Sequence, residues 1–341
     1  MQQDYKNEGS HINDLNTDDS NAQKFALPAL EDLFICFQKD LENPAIEENI
    51  LSQDMLNIFD IIEHTQCLLP ENILISIFQL LDSPSRIICK TATRIIEWSL
   101  SFYSILSDIL LNNGLLEFIF NHFPNNNADS FAYYLMVNHP KGREILIHHG
   151  YLDKIPLLLP PIQPNPQLLF PNQLAFVNPN EKEEIISVQT LTNNYISQLI
   201  ALTKHQFEDL PPEIAQTIFS LFEPLHQLFE SNLIYASNII EAYYYLLRSN
   251  EIFLDPFISS NIMANFISSK CNNTNFIFKL LILMKFLCNQ NDDIAHYLIE
   301  IGSIEFAIRN MKVDIDQHGQ ICSKSIQFIT DLMFHCPETI C

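Results

Sequence analysis

One pattern constrains this chain more than any other: a helix end, a small or polar hinge, then a new amphipathic helix, met four times. It occurs at Ile109-Leu110-Leu111-Asn112-Asn113-Gly114-Leu115, Leu146-Ile147-His148-His149-Gly150-Tyr151, Phe257-Ile258-Ser259-Ser260-Asn261-Ile262 and Leu298-Ile299-Glu300-Ile301-Gly302-Ser303. A second landmark is a helix with a small or apolar residue at a crowded position: Ala92, Ala132, Ala201, Ala242, Leu281 and Ile326. The steps are 40, 69, 41, 39 and about 45 residues. A fixed period of this size marks stacked helical repeats, because one repeat cannot bury its apolar face alone. The long step contains Pro156 to Asn180, with seven prolines, which reads as an extended insertion between repeats.

Helical periodicity fills the spaces between landmarks. Leu30, Leu33, Phe34, Phe37 and Leu41 fall on one helix face, as do Met55, Ile58, Phe59 and Ile62. Further helices are expected over Ile73–Leu81, Ile87–Tyr103, Ile105–Leu111 and Leu115–Phe120, with Ile87, Ile88, Ala92, Ile95, Ile96 and Leu100 as core. The breaks Leu69-Pro70-Glu71, Asp82-Ser83-Pro84-Ser85 and Asn112-Asn113-Gly114 carry helix punctuation, with an Asx or Ser cap before Pro, or Gly after the last apolar residue. No segment alternates with period two between hairpin turns, so essentially no sheet is expected. Only 6 glycines are present, too few for glycine-turned sandwiches or Gly-rich phosphate loops.

Charge limits the partners. The chain has 41 acids against 18 bases, a net charge of −23, which opposes general binding to nucleic acid or to an anionic membrane surface. Residues 1–60 hold 13 acids and 3 bases, and residues 1–24 lack apolar periodicity, giving a mobile acidic tail. That tail either solubilises the chain, engages a basic partner or folds back on a groove. It has no basic n-region or apolar h-region of a signal peptide. The most apolar stretch, Phe276 to Leu287, is interrupted by Lys279 and Lys285 and is too short and charged to span a bilayer. Eight scattered cysteines, mostly inside apolar runs, fit reduced thiols in a cytoplasmic or nuclear protein. The abundance of isoleucine, asparagine and phenylalanine matches an AT-rich coding bias, so Asn125-Asn126-Asn127 reads as a loop.

Catalytic and cofactor signatures are missing: no GxSxG, Walker loop, HExxH or Cys-His arrangement occurs, and no metal or other cofactor is expected. Asp314-x-Asp316-x-His318-Gly319 starts like a calcium loop but has His318 at position five and Ser325 at position twelve. His335-Cys336 and Cys341 lack a CxxC partner for zinc, and His148 and His149 point to different helix faces. Pro161-x-x-Pro164 fits a minimal PxxP without a flanking base, either a docking segment or a packed extended loop.

The stretch Leu281-Ile282-Leu283-Met284-Lys285-Phe286-Leu287-Cys288-Asn289 through Tyr297-Leu298-Ile299-Glu300-Ile301-Gly302-Ser303-Ile304-Glu305-Phe306 resembles the armadillo-repeat family. It is similar to that family's third helix, link, first helix and Gly-containing hinge. Asp82-Ser83-Pro84 followed by Ile95-Ile96-Glu97-Trp98-Ser99-Leu100 resembles the junction of the second and third helices. The resemblance implies an all-α, right-handed superhelical, armadillo-like solenoid of six or seven degenerate repeats over residues 25–341, with HEAT-like packing as the neighbouring possibility. It further implies a concave groove lined by third helices.

On the helix from Arg86 to Tyr103, Lys90, Arg94 and Trp98 form a cationic-aromatic stripe at four-residue spacing, suited to an acidic or extended peptide. The same residues also fit a half-buried Trp98 covering a repeat junction, beside two solvated bases. Tyr134 with Asn138, and Tyr244 with Arg248, are the equivalent positions, and two of Tyr243-Tyr244-Tyr245 are expected to pack. Nuclear import adaptors of this fold place a Trp and then an Asn one helical turn later. Arg94 and Trp98 stand at those places here, and the single Trp departs from that pattern. The expected role is a non-enzymatic scaffold or adaptor holding an extended peptide or a helix. Alternatives are a chaperone-cofactor or transport adaptor embracing a folded domain, a solenoid whose ends bind a copy of itself, and an enzyme with an unrecognised site.

Overall fold

The computed structural model describes residues 31–43, 47–125, 127–159, 188–311 and 319–337. The acidic tail, most of the Pro-rich segment, Asp314 to His318 and Cys341 lie outside the described residues. The described residues form helices without a strand.

The chain divides into two compact units, Met1–Leu146 and Ile147–Cys341. The division falls within the helix Gly142–His148.

In the first unit, α1 covers 31–41, followed by α2 (Glu48–Thr65), α3 (Glu71–Gln79), α4 (Arg86–Phe102), α5 (Ser104–Asn112), α6 (Leu115–His122), α7 (Ala128–Asn138) and the start of α8 (Gly142–His148). A 3-10 turn, Leu80–Asp82, links α3 to α4. The long helices α2, α4 and α7 pack side by side in that order. Phe37, Met55, Ile58, Ile62, Ala92, Ile95, Leu100, Phe131 and Ala132 are completely covered. Each covered Ile or Leu contributes roughly 1.5–3 kcal/mol. Gly142 is required by packing: a Cβ there would stand 2.0 Å from the Leu135 carbonyl oxygen.

The second unit begins with two 3-10 turns, Tyr151–Asp153 and Ile155–Leu158, where a second helix was expected. Ile155 and Leu158 are buried, and their turn packs on α9 (Val188–Thr203). Pro156 to Leu158 therefore belong to the repeat, not to the insertion. Three helical triplets follow. They are α10 (Pro212–Ser220), α11 (Glu223–Ser231) and α12 (Ala236–Ser249); α13 (Leu254–Ser259), α14 (Ile262–Ser268) and α15 (Thr274–Cys288); and α16 (Asp292–Glu300), α17 (Ser303–Met311) and α18 (Gln320–His335). Each last helix packs on the next, giving a ladder α9, α12, α15, α18.

All four hinges read from the sequence turn through a left-handed residue: Gly114 (φ 99°), Gly150 (84°), Asn261 (56°) and Gly302 (85°). Glycine and asparagine adopt this conformation at least cost. A fifth junction, between α10 and α11, has no such residue. There the Tyr195 hydroxyl donates to the Leu221 carbonyl, and the Tyr243 hydroxyl to the Phe222 carbonyl at 3.0 Å.

Several local expectations are corrected. Ala92, Ala132, Ala201, Ala242 and Leu281 are fully buried, but Ile326 is 53% exposed and Ser325 fills the crowded position. One residue along a helix turns the side chain by about 100°, enough to exchange core for solvent. Ile87 faces solvent beside buried Ile88 for the same reason. Ser85 stands at the N-cap of α4 without a side-chain cap, and Ser83 Oγ instead accepts from the Ser85 amide at 3.2 Å. Asn273 and Asn291 do cap, taking amide hydrogens of α15 and α16.

Candidate functional site: the third-helix faces

In each unit the long helices form a ladder whose uncovered face is the candidate site. In the first unit, Lys90 and Arg94 are exposed on α4. The Arg94 guanidinium lies 4.5 Å above the ring of Phe59 on α2, a cation–π contact that ties it to the neighbouring helix. Trp98 lies deeper than a groove contact: it is 7% exposed, between Phe102 at 5.3 Å and Tyr103 at 5.7 Å. Tyr103 in turn donates to the Gln66 carbonyl at the end of α2, at 2.5 Å. The indole is thus part of the junction between repeats, leaving Lys90 and Arg94 as the open members of the stripe.

Glu97 sits beside them. Burial pushes its carboxyl up, opposed by a hydrogen bond from Ser130, and Asp129 and Arg94 act in opposite senses. Tyr134 is half-buried; its hydroxyl is pushed up by burial first and then by Glu97. Asn138 donates to the Leu100 carbonyl at 3.3 Å, tying α7 to the last turn of α4.

In the second unit Tyr243 is fully buried, while Tyr244 and Tyr245 are both half-buried, not one packed with one free. Tyr244 meets Phe286 of α15 edge-on at 5.7 Å, and Arg248 is exposed. Lys279 and Lys285, which in the sequence only broke an apolar run, prove to be the charged centre of this face. Lys279 Nζ pairs with Glu241 Oε2 at 2.5 Å. Lys285 lies 3.7 Å from Asp331, and both Lys285 and Lys324 donate to the one amide oxygen of Gln327, at 3.4 and 3.3 Å. A shallow depression of about 450 Å³, lined by Phe278, Gly319, Gln320, Ser323, Lys324 and Gln327, adjoins them. The spacing Phe278, Ile282, Phe286 was the sequence signal for an outward ridge on α15.

Chemically, these faces offer charges, amides and aromatic edges on a rigid ladder. Among the described residues no group of three or more His, Cys, Asp or Glu side chains is gathered for a metal ion. His335, which lacks a CxxC partner beside Cys336, is 2.8 Å from Asp292 through Nδ1. No described helix is long and apolar enough to cross a membrane.

No family model matches the sequence, and no curated protein is significantly similar to it. Solved structures are similar in fold. A designed armadillo repeat protein aligns with a TM-score of 0.53 at 14% identity, over 76% of this chain and 99% of that one. A second, in complex with the peptide (KR)4, aligns at 0.55 and 12% identity, over 76% and 99%. Computationally designed armadillo repeat proteins for modular peptide recognition align at 0.52 and 13%, over 76% and 99%. The chain is an all-α helical repeat protein, and its fold is that of the armadillo solenoids.

Proposed function

We propose that this protein is a non-enzymatic scaffold or adaptor that holds an extended peptide or a helix of a partner protein on its third-helix faces. The observation that carries the reading is the ladder itself. Consecutive long helices present Lys90, Arg94, Tyr134 and Asn138 in one unit, and Tyr244 and Arg248 in the other, on rigid backbone. Such a face binds by many small, repeated contacts and needs no cavity. The peptide-recognising designs of the same fold support it. The scattered cysteines of the sequence, mostly inside apolar runs, are the ground for placing the protein in the cytoplasm or nucleus.

The test is site-specific photo-crosslinking in cells. A benzophenone amino acid at Asn138 or Arg248 is expected to capture a discrete partner, while one at Glu300, on an outer helix, does not. Arg94→Glu with Tyr134→Ala should abolish capture from Asn138 without changing helical circular dichroism. Equal capture from all three positions would overturn the reading.

A further inference from the structure

Charge is segregated in the second unit. Its outer helices α10, α11, α13, α14, α16 and α17 carry Glu213, Glu223, Glu230, Asp255, Asp292, Asp293, Glu300 and Glu305, against the single base Arg309. Its ladder reverses that balance: α9 has no charge, and α12, α15 and α18 carry Arg248, Lys279, Lys285 and Lys324 against Glu241 and Asp331. A positive face on a chain of net charge −23 is therefore a local arrangement, not an overflow of the composition.

We infer that the face formed by α15 and α18 binds an extended acidic segment of a partner protein, seating a carboxylate between Lys285 and Lys324 and an adjacent apolar side chain in the depression beside Phe278. This rests on the scaffold reading and names its ligand class. Two ammonium groups converge on one neutral acceptor, Gln327 Oε1. An amide oxygen satisfies their hydrogen bonds but leaves charge uncancelled, since Asp331 faces only Lys285 of the two and at 3.7 Å. An incoming carboxylate forms charge-assisted bonds with both. Phe278 supplies the apolar wall, and Phe286, with Tyr244 against it, continues the ridge along α15. Lys279, already matched by Glu241 at 2.5 Å, is the closed counterpart of this open site. On the described helices of this face a basic peptide would meet four bases, with both acids, Glu241 and Asp331, already paired.

The experiment is fluorescence anisotropy with the full chain and three labelled synthetic peptides. One repeats Asp-Phe-Glu-Leu, one repeats Lys-Phe-Arg-Leu, and one corresponds to residues 1–24 of this chain. The first is expected to bind, with affinity falling as salt rises, and the second not. Lys285→Gln and Lys324→Gln should each weaken binding at least tenfold. Gln327→Glu supplies an internal carboxylate, so it should abolish binding while leaving the melting temperature equal or higher. Asp331→Asn frees Lys285 and should tighten binding. Preference for the basic peptide, or unchanged affinity in Gln327→Glu, overturns the inference. Tighter binding of the residues 1–24 peptide than of the first overturns the partner and makes the tail the occupant. If the acidic class fails while crosslinking from Asn138 or Arg248 still captures a partner, the scaffold reading stands without it.

Discussion

Single side chains divide here into those that hold the repeats and those left over. Trp98 belongs to the first kind, and Trp98→Ala is expected to cost about 3–5 kcal/mol, read as a lowered denaturation midpoint. Gly142→Ala should destabilise by at least about 1–3 kcal/mol, because its methyl group meets backbone that cannot move aside. Glu97 gives a pH test. Burial raises its folded pKa, so its contribution is full below the unfolded carboxyl pKa and is lost as pH rises through the folded value. Glu97→Gln is expected to be more stable than the parent at pH 7, with the difference vanishing at pH 4 and below in thermal melts. Burial likewise pushes the Cys288 thiol up to about 12, with Asp331, Cys336 and Asp292 adding to it. Native-state alkylation at pH 8 should therefore label exposed Cys36 and spare Cys288.

Among elements, the junctions between the first and second helices of each repeat show what a sequence reveals. Four were legible because a left-handed turn demands Gly or Asn locally. The fifth, at Leu221-Phe222, was not, since its signal is two tyrosine hydroxyls from α9 and α12, distant in sequence. Tyr243→Phe removes one of two donors to the buried Phe222 carbonyl, the Leu225 amide being the other, and should cost about 0.5–1.5 kcal/mol in chemical denaturation. The stripe Lys90, Arg94, Trp98 was legible as a spacing, but its depth was not. Burial of Trp98 depends on Phe102, the last residue of α4, and on Tyr103 just past it. The Lys285, Lys324 and Gln327 cluster joins two helices 42 residues apart and has no local motif at all.

Across the whole chain, composition fixed the sign of the charge but not its distribution. With 41 acids against 18 bases, self-repulsion opposes the folded state, so added salt is expected to raise the melting temperature. The hydrogen bonds between repeats have a consequence for biosynthesis. Tyr103 to Gln66 spans 37 residues, Asn138 to Leu100 38, Lys279 to Glu241 38, and Asn289 to Asp331 42. Each such loop closes once a single further repeat has been made. A growing chain can therefore complete its repeats in the order of translation, each new helix finding a finished template behind it.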